Sequence, residues 1–178
     1  MQIKTVFSGF GGQGVLMMGY AFAVAAMRED KHVTYLPSYG AEVRGGTANC
    51  TVAVSTEEIA SPIASSPEFV VVMNKPSLSA FQNRLQTGGL LFINSTMIDE
   101  MPIRGDIEVI AVDAGNMAEG IGEMKTTNMV MLGAFVKKSG IVELKDVIDG
   151  LSEIFDGKEK VIEMNTRALK LGYESIVG

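Results

Sequence analysis

The stretch Ile3-Lys4-Thr5-Val6-Phe7-Ser8-Gly9-Phe10-Gly11-Gly12-Gln13-Gly14 decides the fold. Its β-branched and aromatic first half reads as a short strand over Ile3–Ser8. The glycines that follow match G-x-G-x-x-G from Gly9 to Gly14. A turn of this kind passes from strand to helix because glycine takes positive φ freely. A helix is therefore predicted over Gln13–Arg28. Such a loop can set backbone N–H groups and a helix dipole against a phosphate. The plainer purpose is a tight turn in which glycine serves packing or a subunit contact. Both readings stand on this loop alone.

Outward from the loop, strands and helices alternate. His32–Leu36 is a short strand stopped by Pro37, with His32 at the helix–strand turn. Ala48–Ser55 is a strand, and Ser61–Pro67 is a loop by its prolines and serines. The continuous apolar run Phe69–Met73 marks a buried central strand. Pro76 and Gly88 frame a helix over Ser77–Thr87. Leu90–Asn94 and Glu108–Val112 are further strands. Thr126 or Thr127 caps a helix running through Lys138, with Gly140 beyond it. Leu144–Phe155 and Glu159–Val177 are helical. The pattern is α/β: a three-layer Rossmann-like sheet of six or seven strands, possibly mixed, in a single domain over residues 1–178.

The helix after the glycine loop is apolar on almost every face, through Val15, Leu16, Met17, Met18, Tyr20, Phe22, Val24 and Met27. It needs cover on more than one side, either from other helices of the chain or from a partner subunit. The helix carrying Met129 and Met131 is similar, since residues two apart lie on different faces. Its apolar surface suits an obligate interface.

Composition narrows the chemistry. Apolar residues make up 47% of the 178 positions, enough for a full core. The net charge is −6, from 15 basic and 21 acidic residues, which disfavours nucleic acid and direct docking of an acidic redox carrier. One cysteine and one histidine rule out a disulfide framework, a Cys₄ metal site and most His-based triads. Twelve methionines point to adaptable packing surfaces. The first residues lack the order of a signal peptide, and the Val15–Met27 apolar run is too short to span a bilayer. A cytoplasmic location without membrane contact is expected. Cys50, inside a strand, reads as a small core residue.

A second irregular motif runs Ser38-Tyr39-Gly40-Ala41-Glu42-Val43-Arg44-Gly45-Gly46-Thr47. Arg44 can take a carboxylate or phosphate in forked geometry, with Glu42 orienting it. By composition alone an ordinary surface ion pair is the simpler reading. An NAD site needs an acidic residue at the carboxyl end of the second strand. That end reads Tyr35-Leu36-Pro37-Ser38, and Asp30 lies before the strand, so NAD and NADP are disfavoured.

Four motifs in order carry a family resemblance: GFGGQG at 9–14, SYGAEVRGG at 38–46 leading into ANCTVAVS, SPIASSPEFVVVMN at 61–74, and NMVMLGA at 128–134. Together they resemble the gamma subunit of 2-oxoacid:ferredoxin (acceptor) oxidoreductases, over about Val6 to Phe135. SYGAEVRGG looks closest to the 2-oxoglutarate and branched-chain members.

The resemblance implies a non-autonomous subunit of a complex. The complex oxidatively decarboxylates a 2-oxoacid, with 2-oxoglutarate favoured. Coenzyme A is converted to an acyl-CoA, and electrons pass to ferredoxin or flavodoxin. Thiamine diphosphate, magnesium and iron–sulfur clusters would sit on alpha, beta and delta partners. On that reading Gly9, Gly11, Gly12, Gln13 and Gly14 lie at the coenzyme A phosphates or at a partner contact. Tyr39, Glu42, Arg44 and Gly45 face the same cleft, with Gly40 and Gly46. No residue is expected to be catalytic on its own, and none to bind metal. Asn128 is either a capping and packing residue or a ligand. The alternatives are an assembly subunit without cofactor contact, or an autonomous nucleotide-binding oxidoreductase.

Overall fold

Strand β1 (Gln2–Phe10) lies inside a six-stranded sheet, paired on both sides. The computed structural model describes residues 1–39 and 47–177. From β1 the chain enters helix α1 (Val15–Arg28), then β2 (His32–Tyr39), β3 (Thr47–Ser55) and β4 (Phe69–Val72). Helix α2 (Lys75–Phe81), β5 (Leu90–Asn94), β6 (Glu108–Val112) and α3 (Ala114–Gly120) follow. A 3₁₀ turn at Met124–Thr126 leads into α4 (Thr127–Ser139), α5 (Leu144–Ile154) and α6 (Glu159–Glu174).

The strand order is β2-β3-β1-β4-β5-β6. β1, β4, β5 and β6 run parallel, while β3 is antiparallel to both β1 and β2. The sheet is therefore mixed. It forms the middle of three unequal layers. Phe7, Cys50, Val52, Val71 and Phe92 face one large core shared with α1, α3, α4, α5 and α6. Val6, Val70, Val72, Leu91 and Ile93 face the other side, covered by Leu78 and Phe81 of α2 together with Leu85, Ile98 and Ala64. β4 and β5 are apolar without alternation because both of their faces are buried.

The cover over the two apolar helices differs. In α4, every residue from Asn128 to Val136 is buried by the chain itself. The expectation that this helix meets a partner is corrected: α6 crosses it at backbone contact. A methyl on Gly133 would strike the Leu169 carbonyl, and one on Gly172 the Val130 carbonyl. The Phe135 ring stands edge-on to those of Phe7, Phe22, Phe69 and Phe92, with centroids 5.1–5.7 Å away. α1 is buried along Met18, Ala21, Phe22, Ala25 and Ala26, but Tyr20 and Met27 remain exposed.

Several boundaries shift for local reasons. α1 begins at Val15 rather than Gln13, because Gly14 occupies the left-handed region at φ 74°. β2 continues through Pro37 to Tyr39, which an edge strand with one neighbour tolerates. α2 stops at Phe81 instead of reaching Thr87. The Arg104 guanidinium takes the carbonyls of Gln82 and Leu85 in place of further helical bonds. α3 was not expected from its sequence, which carries two glycines; the Thr96 hydroxyl caps it by accepting from the Gly115 N–H at 2.9 Å. Among the described residues no helix is long and apolar enough to cross a membrane.

Candidate functional site

The strand order reverses between the parallel neighbours β1 and β4. β1 feeds α1 on one face of the sheet, and β4 feeds α2 on the other. A crevice opens at the carboxyl ends of parallel strands at such a point, and ligands of α/β proteins bind there. Here the glycine loop forms one wall.

The loop is held by side-chain amides. Gln13 Oε1 accepts from the Phe10 N–H at 2.7 Å and from Asn74 Nδ2 at 3.0 Å. Asn74 in turn caps α2 by accepting from the Ser77 N–H at 2.9 Å. Ser8 Oγ donates to Ser77 Oγ at 2.9 Å beneath them. On the other side, Asn128 Nδ2 donates to the Gly14 carbonyl at 3.1 Å. Asn128 is thus a tether between the N-termini of α4 and α1, and it also lines the cleft beside the loop. Gly9 is needed for packing, since a Cβ there would lie 2.8 Å from Val15 Cγ1 and 3.0 Å from Met73 Cβ. Gly14 is needed for conformation and for room beside Asn128. Gly12, at φ 93°, has open space where a side chain would be.

Two hollows flank the loop. The first, of about 350 Å³, is lined by Gly12, Gln13, Asn94, Thr96, Lys125 and Asn128. Met73, Met97 and Met124 supply its apolar surface. The second, of about 300 Å³, lies on the opposite side of the loop against Gly11, Gly14, Leu16 and Ala48. The first hollow joins two helix N-termini to one lysine, an arrangement that favours an anion. Among the described residues that line it there is no carboxylate, histidine or cysteine. Among the described residues no cluster of such groups could hold a metal.

Register places the strand ends that flank the second motif beside the first motif. Tyr39 pairs with Ala48, and Phe10 pairs with Thr47. The strand ends that flank the motif therefore stand next to the glycine loop. Gly40, Glu42, Arg44, Gly45 and Gly46 lie outside the described residues. The same topology bears on dinucleotides. The strand beside β1 on this side is β3, which runs antiparallel and presents Thr47, its amino end, next to Phe10. A ribose-binding acidic residue at the carboxyl end of that neighbour has no place here.

Cys50 is fully buried, and burial pushes its thiol up to about 12 despite a hydrogen bond from Gly19. It is a packing residue under α1 and takes no part in nucleophilic chemistry. Sequence reasoning missed Asn74, Asn94, Thr96 and Lys125. A signal existed for two of them: the apolar runs FVVVMN and LLFIN each end in asparagine, where a parallel strand meets the crevice.

The fold and site define an α/β protein with a glycine loop at its switch point and, among the described residues, no carboxylate, histidine or cysteine lining the cleft beside it. The chain belongs to the pyruvate ferredoxin/flavodoxin oxidoreductase family, whose sequence profile matches residues 4–175. That match runs past the four motifs and includes α5 and α6. The chain is 37% identical over 175 residues to the ketoisovalerate oxidoreductase subunit VorA of Methanothermobacter thermautotrophicus, covering 97% of this chain. It spans only 36% of that relative's length. It is 31% identical to the 2-oxoglutarate synthase subunit KorC of Methanothermobacter marburgensis, over 99% of this chain and 98% of the relative. The gamma subunit of a keto/oxoacid ferredoxin oxidoreductase from Geobacter sulfurreducens superposes with a TM-score of 0.86 at 25% identity, covering 98% of this chain and 95% of that one.

Proposed function

We propose that this chain is the gamma subunit of a 2-oxoacid:ferredoxin oxidoreductase complex and supplies part of the coenzyme A site. The observation that carries this reading is the pairing of a glycine loop at converging helix N-termini with the absence, among the described residues, of a carboxylate, histidine or cysteine lining the cleft beside it. A subunit that positions a co-substrate for chemistry on other chains needs the first and can lack the second. Relatives of matching length are named as separate subunits, and the longer VorA shows a chain of this kind within a larger polypeptide.

In this role the glycine loop presents the N–H groups at the start of α1 to the phosphates of coenzyme A. The second motif contributes Tyr39, Glu42, Arg44 and Gly45 to the same site. Thiamine diphosphate, magnesium and iron–sulfur clusters belong to the alpha, beta and delta partners, which pass electrons to ferredoxin or flavodoxin. The favoured 2-oxoacid is 2-oxoglutarate, by the form of the second motif, with branched-chain 2-oxoacids next. The complex is cytoplasmic.

The test is affinity purification of the native assembly from its own organism through a tag on this chain, followed by mass spectrometry and assay. The expected result is co-purification of thiamine-dependent subunits and reduction of viologen dye that requires both a 2-oxoacid and coenzyme A. Recovery of the chain alone defeats the proposal. Turnover with 2-oxoglutarate against 2-oxoisovalerate assigns the substrate.

A further inference from the structure

Asn74 follows the apolar run Phe69–Met73 and is 1% exposed. It caps α2, whose Leu78 and Phe81 cover the sheet face opposite α1. Its amide nevertheless reaches the glycine loop, through Gln13. Beneath it the buried hydroxyls of Ser8 and Ser77, 2.9 Å apart, hold the start of α2 against β1.

The orientation of both amides is dictated by groups that can only donate. The Ser77 N–H lies 2.9 Å from Asn74 and requires Oδ1 there, which leaves Nδ2 for Gln13. The Phe10 N–H lies 2.7 Å from Gln13 and requires Oε1 there. Gln13 Oε1 therefore receives two donors, and Nε2 is left over. Nε2 has no hydrogen-bond partner among the described residues and is not enclosed. Gln13 is half-buried and lines the 350 Å³ cleft. Its own N–H bonds the Phe10 carbonyl at 3.1 Å, so one residue closes the loop by backbone and by side chain. The last torsion of a glutamine is broad, so the choice of which end it shows comes from its neighbours.

We propose that Asn74 is a positioning residue that acts through Gln13. It holds the Gln13 amide in one orientation, so that the loop keeps its shape and the cleft is offered the Nε2 donor instead of an acceptor. The start of α2, on one side of the sheet, thus sets the chemistry shown by a loop that feeds a helix on the other. What the donor meets in the complex rests on the coenzyme A reading above; the clamp itself does not.

The test begins with hydrogen exchange by NMR on the full chain. In the wild type the side-chain NH₂ of Asn74 is expected to exchange slowly and that of Gln13 fast. Asn74→Ser keeps a capping oxygen for Ser77 but is too short to reach Gln13. It is expected to speed exchange of the Phe10 N–H about tenfold, the loss of one hydrogen bond, with little change in melting temperature. Gln13→Ala is expected to do the same, and the double variant to exchange no faster than Gln13→Ala alone. Gln13→Glu keeps an oxygen for both donors and replaces Nε2 by a second oxygen, so Phe10 exchange is expected to stay slow while the cleft loses its donor. In the purified complex, Asn74→Ser and Gln13→Glu are both expected to raise KM for coenzyme A about fivefold or more with kcat unaltered. Fast exchange of the Asn74 NH₂ overturns the proposal, as does unchanged Phe10 exchange in Asn74→Ser. Coenzyme A-dependent turnover with an unaltered KM in both variants also overturns it and leaves the gamma-subunit reading intact. A wild-type complex that does not require coenzyme A defeats that reading instead, and the exchange rates then decide the clamp by themselves.

Discussion

Cys50 lies beneath α1, where its Sγ faces the Val15 carbonyl at 3.6 Å and leaves no room for a side chain on Gly19. Desolvation holds the thiol in its protonated form and pushes its pKa up to about 12. A free thiol ionises near about 8.5, so the unfolded chain loses this proton first. The stability tied to Cys50 is complete below that value and is lost as pH rises toward about 12. Urea unfolding between pH 8 and pH 10 is expected to show the wild type losing up to about 1.4 kcal/mol per pH unit more than Cys50→Ala. Parallel pH profiles for the two proteins would contradict the burial account.

Among elements, the crossing of α4 and α6 is the tightest contact in the molecule's large core. Gly133 and Gly172 each face a carbonyl of the other helix, so an added methyl meets backbone rather than a movable side chain. Gly133→Ala or Gly172→Ala is expected to destabilise by about 1–3 kcal/mol through overpacking. Gly120→Ala has open space and is expected to be neutral or to stabilise by up to about 1 kcal/mol. Thermal denaturation of the three variants checks the contrast, and similar melting points would refute it. This crossing marks where sequence reading stops. Strand positions and the mixed sheet were legible, because apolar runs and turn glycines report local structure. Which helix covers α4 depends on residues more than thirty positions away, and no periodicity records that. The site divides the same way. The glycine loop is a contiguous motif and stood out at once. Asn74 and Asn94 meet it only through the order of parallel strands, and Lys125 through the docking of α4 on the loop, so their part became visible with the topology.

The whole molecule is acidic, and its ion pairs lie near the surface. Asp106 sits far below the usual carboxylate range because the Arg104 guanidinium and then the Thr87 hydroxyl bind it. Asp149 is lowered by Lys145, with Arg28 adding to the effect. Arg28 also reaches Asp146 at 3.7 Å and Glu153, which pins α1 to α5. Carboxylates depressed in the folded state stabilise it above their unfolded pKa near about 4, and that help disappears as pH falls below it. Melting temperature is therefore expected to drop from pH 5 to pH 3, and less steeply in 1 M salt, where exposed pairs are screened. A drop of the same size at both salt concentrations would show that these pairs contribute nothing.

The hydrogen bond from Asn128 to Gly14 joins residues 114 positions apart. Chains leave the ribosome amino end first, at about 5–20 residues per second. The glycine loop is among the first segments made, yet its tether arrives only after roughly two thirds of the chain has been synthesised. Until then the loop lacks its second anchor, and the start of α1 is not aligned with that of α4. The alignment of the two helix starts thus reports that the domain has been finished, because no partial chain ending before α4 holds both together.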